Sequence, residues 1–154
     1  MSLTTEEVQA VRRTWDLVLQ DIKGNGVECF MRLFQTHPPY KNLFKEFRDL
    51  SNEEVRESSK LRGHATTFMR QVTAFVDSLD DGEALVYMIN KVCDNHHPRG
   101  VGMEHYKNLY VILAAFLAEA LGDAFDATAQ SGWTKVIGVL TDVMDTRLSQ
   151  KAAE

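Results

Sequence analysis

The strongest constraint on the fold comes from residues 61–101, where two helical patterns each carry one histidine on the apolar side. The apolar residues that share the first helix face with His64 are Leu61, Ala65, Phe68, Val72, Phe75 and Leu79. The apolar series that leads to His96 on the second helix is Leu85, Ile89, Val92 and Cys93. Because Pro98 follows His97, the second helix must end there, and His96 is predicted to be a last-turn residue that points at the core.

A short acidic turn joins the two patterns and makes the helices antiparallel neighbours. Asp80 is predicted to cap the second helix, and Glu83 to complete a capping box as its third residue. Two imidazoles on such a pair of helices can hold a flat cofactor between them. The sequence therefore predicts a slot between His64 and His96.

The alternative interpretation is that both histidines belong to the core. A histidine on an apolar face is more often a hydrogen-bonded core residue than a ligand. Two opposed histidines favour a ligand role, and aromatic residues from three segments accompany them. These residues are Phe30, Phe44, Phe47 and Phe68. The aromatic residues that we interpret as ordinary core are Phe34, Phe75, Phe116 and Trp133.

Size and charge restrict the function classes. A chain of 154 residues is predicted to form one domain, residues 1–154, with a substantial core. The net charge is -5 and the basic residues are scattered, so nucleic acid is not expected as a partner. The sequence shows no secretory signal and no membrane-spanning stretch, and we expect a cytoplasmic protein. Cys29 and Cys93 are then expected to be free thiols in or near the core.

The remaining patterns are helical as well, so the predicted fold class is all-α. The first helix is expected over about residues 4–21, with a capping box of Thr4 and Glu7, and a break at residues 24–26. The second ends before His37, and a short third helix begins at Pro38 or Pro39. Further helices are expected over residues 51–79, bent or interrupted, from residue 103 to a stop at residue 122, and from about residue 126.

Other chemistry finds little support in the sequence. Cys93, His96 and His97 supply at most two ligands of a zinc or copper site, which needs four for a structural role. No residues orient Cys93 as a nucleophile, and neither common phosphate-binding glycine motif is present. Paired carboxylates in this chain are better explained as helix caps and solvated faces.

The chain resembles a globin over essentially its whole length. The residues at globin spacing are Trp15, the run Leu33-Phe34-x-x-His37-Pro38, Phe44, Phe47, His64, Phe68 and the run from His96 to Val101. The combination of Phe44, His64 and His96 is specific, whereas Trp15 or Pro38 alone is weak. The corner Asn95-His96-x-x-Arg-Gly-Val and the phenylalanine at position 68 are similar to intracellular globins of molluscs and annelids. The resemblance implies a globin fold of about eight helices in a 3-on-3 sandwich.

The resemblance also implies haem b, with His96 as the proximal iron ligand and His64 on the distal side. The other residues it implies around the haem are Phe44, Phe47, Phe68, Val92, His97, Arg99, Val101, Met103 and Tyr106. The ligand pocket would contain Phe30, Phe44, His64 and Phe68. Arg99 and His97 are the expected partners of the propionates. A backbone carbonyl is expected to fix the tautomer of His96.

Two positions depart from the family pattern. Phe68 stands where a smaller valine is common, so together with Phe30 it makes the distal space tight. We expect this crowding either to enclose bound oxygen or to push His64 toward the iron as a sixth ligand in the deoxy state. Ala65 replaces a glycine that is frequent at the crossing with the second helix, so close approach there depends on Gly26 alone.

The implied function is reversible binding of dioxygen, with carbon monoxide and nitric oxide as further ligands, for intracellular storage, transport or facilitated diffusion. The chain is not expected to be an enzyme. The alternative is conversion of nitric oxide to nitrate by the oxygenated protein with a separate reductase. The sequence leaves a monomer and a homodimer both open.

Overall fold

The computed structural model describes residues 2–154, and helices account for nearly all of them. The α-helices are α1 (Thr5–Val18), α2 (Ile22–Thr36), α3 (Asn52–Arg56), α4 (Ser59–Asp77), α5 (Gly82–His96), α6 (Met103–Leu121) and α7 (Ala127–Ala152). Short 3-10 helices span Leu19–Asp21, Pro38–Leu43, Lys45–Phe47, His97–Arg99 and Gly122–Ala124. No strand occurs in this part of the chain, and the predicted all-α class is confirmed. No helix in it is long and apolar enough to cross a membrane.

The predicted count of about eight helices differs from the seven α-helices of residues 2–154 at one segment. The short third helix predicted at Pro38 or Pro39 is present, but it is a 3-10 helix over Pro38–Leu43. Pro38 and Pro39 occupy the first two positions of this helix, where backbone N–H groups have no intrahelical partner in either helix type, so the prolines are tolerated there.

Several predicted helix boundaries are confirmed by their caps. Thr4 accepts a hydrogen bond from the Glu7 N–H at 3.1 Å, and the Glu7 carboxylate accepts from the Thr4 N–H at 2.8 Å. Ser51 and Glu54 form the same capping box at the start of α3. The long segment to residue 79 is interrupted as expected, because α3 ends at Arg56 and α4 begins at Ser59.

Two predicted boundaries were wrong. The glycines at positions 24 and 26 do not break the first helix but lie inside α2, because the Asp21 carboxylate caps α2 by accepting from the Gly24 N–H at 3.0 Å. The cap of α5 is Asp81, which accepts from the Ala84 N–H at 3.1 Å, and not Asp80. Glu83 is therefore not the third residue of a capping box. The turn before α5 extends one residue further than predicted, since the Asp81 N–H donates to the Ser78 carbonyl.

The core consists of two clusters that meet at Phe68. The larger cluster joins α1, α4, α5, α6 and α7 around Trp15 and Trp133, whose ring centroids are 5.5 Å apart. The smaller cluster joins α2 to α4 and to the segment after residue 37, with Phe30 and Phe34 among its members. Cys29 and Cys93 are both buried free thiols, as expected. Phe68 packs against both clusters, so it lies where a cavity between them would open.

The crossing of α2 and α4 depends on one glycine. A Cβ atom at Gly26 would lie 2.9 Å from the Met69 Cγ, 3.0 Å from the Ala65 carbonyl oxygen and 3.1 Å from the Ala65 Cβ. Such distances are shorter than ordinary van der Waals contact. The expectation that Gly26 alone permits the close approach to Ala65 is therefore supported by the geometry.

This crossing predicts opposite effects for two similar substitutions. Gly26→Ala is expected to lower the free energy of unfolding by about 1 kcal/mol, because overpacking costs about 1–3 kcal/mol and the better helix propensity returns about 1 kcal/mol. Gly63→Ala, also within a helix, meets nothing within 4 Å and is expected to raise it by roughly 0.5–1 kcal/mol. Urea unfolding measures both, and a stabilised Gly26→Ala variant would contradict the prediction.

A second contact between distant segments joins α1 to α7 through Glu7. The Glu7 carboxylate accepts hydrogen bonds from the Lys135 ammonium at 2.7 Å and the Ser131 hydroxyl at 2.5 Å. The hydrogen bond from Lys135, followed by that from Ser131 and the backbone of Thr4, lowers the pKa of Glu7 to about 2. The charged carboxylate therefore stabilises the folded state.

The direction of this pKa shift predicts a pH-dependent effect of Glu7→Gln. The carboxylate stabilises the fold above the pKa of an unfolded glutamate, about 4.3, and its contribution is lost as the pH falls toward 2. The variant is expected to be less stable than the parent at pH 7, with a difference that shrinks between about pH 4.3 and 2. Urea midpoints at several pH values measure this, with Glu6→Gln at the neighbouring exposed position as control. A difference in urea midpoint between Glu7→Gln and the parent that stays constant down to pH 2.5 would contradict the prediction.

Candidate cofactor site between two histidines

A cavity of about 800 Å³ lies between α2, α4, α5, α6 and the corner after α2. The predicted site residues that line it are Phe30, Phe44, Phe47, His64, Phe68, Val92, His96, Arg99, Val101 and Tyr106. His97 and Met103 are not among the lining residues. The His97 side chain is exposed, and Met103 packs against the larger core cluster. The two histidines singled out by the sequence thus reach the same cavity from different helices.

His96 occupies the last turn of α5, as predicted, and its ring is held by its own helix. The Nδ1 atom lies 2.7 Å from the carbonyl oxygen of Val92, one turn earlier. Since a carbonyl can only accept, Nδ1 carries the proton and donates it. The Nε2 atom is then left with a lone pair, which is the form of imidazole that binds a metal.

His64, on α4, lies between two aromatic rings from other segments. Its ring centroid lies 4.8 Å from that of Phe30 and 4.8 Å from that of Phe44, both in edge-on arrangements. Burial lowers the pKa of His64 to about 4. The ring is therefore neutral at pH 7, with one N–H donor and one lone pair.

The predicted phenylalanines form a connected wall. Phe30 contacts Phe68 edge-on with centroids 5.3 Å apart, and Phe44 lies 5.3 Å from Phe47. Phe34, which we interpreted as ordinary core, is buried behind them and contacts Phe30, Phe44 and Phe47. Each ring is fixed by its neighbours, so the cavity wall beside His64 is apolar and closely packed.

The mouth of the cavity carries more positive charge than the sequence analysis predicted. Arg99 was singled out, and the further cations that line the cavity are Lys45, Arg48 and Lys60, with Glu46 as the one lining carboxylate. All of these side chains are exposed, so they mark the side where the cavity opens to solvent. Lys60 precedes His64 by four residues, and this helical spacing was a signal that could have identified it.

Other lining residues were also missed. They are Leu33, Tyr40, Leu43, Thr67, Gln71, Pro98, His105, Leu109 and Tyr110, together with Phe75, which we had interpreted as plain core. Thr67 and Gln71 follow His64 by three and seven residues on α4, so the period that revealed His64 also indicates them. Phe75 is buried and lines the cavity at the same time.

Tyr106 is an unusual member of the lining because its hydroxyl is buried. Within residues 2–154 that oxygen has no hydrogen-bond partner, and the side chain is only 5% exposed. Its ring centroid lies 6.4 Å from that of His96. Burial raises the pKa of Tyr106, so the group stays neutral near the histidine.

Comparison with known proteins gives consistent matches. The family model described as Globin matches residues 27–144. A globin of Nerita albicilla is 26% identical over 144 residues, which are 94% of this chain and 92% of the relative. The globin-2 B chain of Anadara inaequivalvis is 30% identical over 135 residues, 88% of each chain. Among solved structures, ferric Aplysia limacina myoglobin superposes with a TM-score of 0.85 at 25% identity, over 95% of this chain and 99% of the other.

Proposed function

This chain belongs to the globin family, and on that premise we propose that it binds haem b and takes up dioxygen reversibly inside a cell. The proposed role is storage, transport or facilitated diffusion of oxygen. The observation that carries the proposal is the presence of two imidazoles, from two helices, in one cavity of about 800 Å³ with apolar walls. Only one of them has its Nδ1 atom occupied by a backbone carbonyl.

The residues present fit an iron porphyrin. His96 offers a lone pair on Nε2, and the donor that fixes its tautomer is already satisfied by Val92. The cavity walls are formed by phenylalanine, valine and leucine side chains, which suit the faces of a macrocycle. The exposed cations at the mouth suit its carboxylate substituents.

Haem bound here would supply an iron whose open position takes dioxygen, carbon monoxide or nitric oxide. His96 would hold the iron on one side and keep it in place through its own tether to α5. His64 would offer its N–H to a bound ligand, which carries partial negative charge. Phe30, Phe44 and Phe68 would keep water out of the space beside His64.

The crowding around His64 supports a second coordination state. Phe30 and Phe44 contact the ring on two sides, so few positions are open to it besides the cavity. Its lone pair is available at pH 7 because the pKa is lowered to about 4. We therefore propose that His64 serves as the sixth ligand in the deoxy state.

The propionates require cations at the cavity mouth. Arg99 remains a proposed partner, whereas His97 is replaced in this role because it does not line the cavity. Lys45, Arg48 and Lys60 are the further candidates. The proposal holds for a monomer or a homodimer.

Substitution of the proximal histidine tests the cofactor assignment. His96→Gly is expected to lose the Soret band of a histidine-ligated haem, and added imidazole is expected to restore it by filling the vacated volume. An absorption spectrum of the purified protein with and without imidazole measures this, and His97→Gly serves as the neighbouring control. A parent-like spectrum in His96→Gly without imidazole would mean that another side chain holds the iron.

The distal role of His64 predicts a change in ligand release. His64→Leu is expected to release dioxygen about 10–100-fold faster, because a hydrogen bond to a charged acceptor contributes about 1.5–3 kcal/mol. Stopped-flow displacement by carbon monoxide measures the rate, with Thr67→Val as a control that also changes a polar residue of the lining. An unchanged rate would remove His64 from ligand stabilisation.

The visible spectrum of the same deoxy proteins separates the two roles of His64. The parent is expected to be six-coordinate and low-spin, and His64→Leu five-coordinate and high-spin. A parent spectrum that is wholly high-spin excludes His64 as the sixth ligand.

Sustained consumption of nitric oxide with a cellular reductant would instead favour the enzymatic alternative, conversion of nitric oxide to nitrate.

A further inference from the structure

Helix α5, which carries His96, is held to the rest of the protein along a narrow seam. Its buried residues are Leu85, Ile89 and Cys93, about one in each turn. Among the helices, α7 is the one that α5 contacts most. The neighbouring face, with Val92 and His96, is turned to the cavity, and Val92 also packs against the larger core cluster.

The outer side of the seam between α5 and α7 is also open. A groove of about 290 Å³ separates the two helices there. It is lined by Val86, Asn90, Asp142, Val143, Thr146, Arg147 and Gln150. On α5 this groove is lined by Val86 and Asn90, and in the last turn Cys93 is the buried apolar residue.

Polar side chains of α7 also contact the last turn of α5. The Arg147 guanidinium donates to both carboxylate oxygens of Asp94, from Nε at 2.8 Å and from the second terminal nitrogen at 2.9 Å. The Lys151 ammonium lies 3.1 Å from the same carboxylate. The Gln150 side chain accepts from Arg147 at 3.2 Å and steadies the guanidinium.

Isolated surface ion pairs contribute little, so the geometry decides whether this one matters. The pair is bidentate, which is the strongest and most directional arrangement of arginine and carboxylate. It is extended by Lys151, whose side chain is only 15% exposed. A planar fork supported by a second cation restrains both the position and the orientation of the Asp94 backbone.

Asp94 lies in the sequence between His96 and Val92, the residue whose carbonyl holds the His96 ring. The His96 ring is tied by its Nδ1 atom to the carbonyl of Val92, so the ring moves with the last turn of α5. The chain after that turn is the 3-10 helix His97–Arg99, followed by Gly100, whose φ is +82°. Whatever fixes the last turn of α5 therefore fixes the imidazole relative to the cavity.

We propose that Arg147, assisted by Lys151, is a positioning residue that holds His96 in register with the haem by clamping Asp94. This inference rests on the proposed function, because it concerns the ligand that we assign to the iron. Arg147 does not line the cavity and touches no cofactor. It acts only through α5.

The test compares Arg147→Met and Arg147→Lys with Lys135→Met in the haem-loaded protein. Methionine keeps much of the aliphatic stem and removes the fork, while lysine keeps the charge without bidentate geometry. Lys135 lies on the same helix, but its ion pair is with Glu7 of α1 and not with α5. The readouts are haem transfer to excess apo-myoglobin and the iron–histidine stretching band just after photolysis of the carbon monoxide complex.

Arg147→Met is expected to release haem roughly fivefold faster, below the 10–100-fold typical for a direct partner of a metal ligand, and to shift or broaden the band. Arg147→Lys is expected to lie between Met and the parent. Lys135→Met should lower thermal stability without moving either readout. Asp94→Asn is expected to reproduce Arg147→Met, and the double variant to add nothing further.

The outcomes separate two kinds of failure. Normal haem uptake by Arg147→Met, with release and band equal to those of Lys135→Met, overturns this inference and leaves the proposed function intact. A parent protein that takes up no haem overturns the proposed function, and with it the inference that Arg147 positions a haem ligand. A faster release that is equal in Arg147→Met and Lys135→Met means general destabilisation and also overturns the inference.

Discussion

The hydrogen bond from the His96 ring to the Val92 carbonyl is the contact on which the site depends. It selects the tautomer with a free Nε2 lone pair, and it orients the ring without any residue from another helix. This contact is local in sequence, because donor and acceptor are one helical turn apart. Its effect is global, since the orientation of the imidazole is set entirely by where α5 lies. The position of α5 therefore determines where the His96 ring lies in the cavity.

The apolar wall around His64 sets the chemistry of the other side. Burial disfavours the imidazolium ion, so the same phenylalanine contacts that narrow the cavity also keep His64 neutral at pH 7. A neutral ring offers both a donor and a lone pair, and the proposed roles of His64 use one each. The cations at the cavity mouth are exposed, so they keep their charge without a large desolvation cost.

The sequence predicted the features that follow from helical period and failed at those that depend on side-chain reach or turn length. His64, His96, Phe30 and Phe68 were found because each shares a helix face with apolar residues, and all four line the cavity. Phe44 and Phe47 also line it, but they were found as aromatic residues of the corner after α2 and through the resemblance. Lys45 and Arg48 were missed because they lie in an irregular corner, where spacing carries no information about direction. The choice of Asp80 over Asp81 was wrong because both can cap, and only the length of the preceding turn decides between them.

Apolar and polar contacts together anchor α5. Its buried residues are Leu85, Ile89 and Cys93, while Val92 and His96 line the cavity. Apolar contacts on a narrow stripe resist separation of two helices better than they resist rotation or sliding, because they are not directional. A bidentate ion pair is directional. The contact of Arg147 with Asp94 therefore adds a directional restraint to the apolar packing of α5.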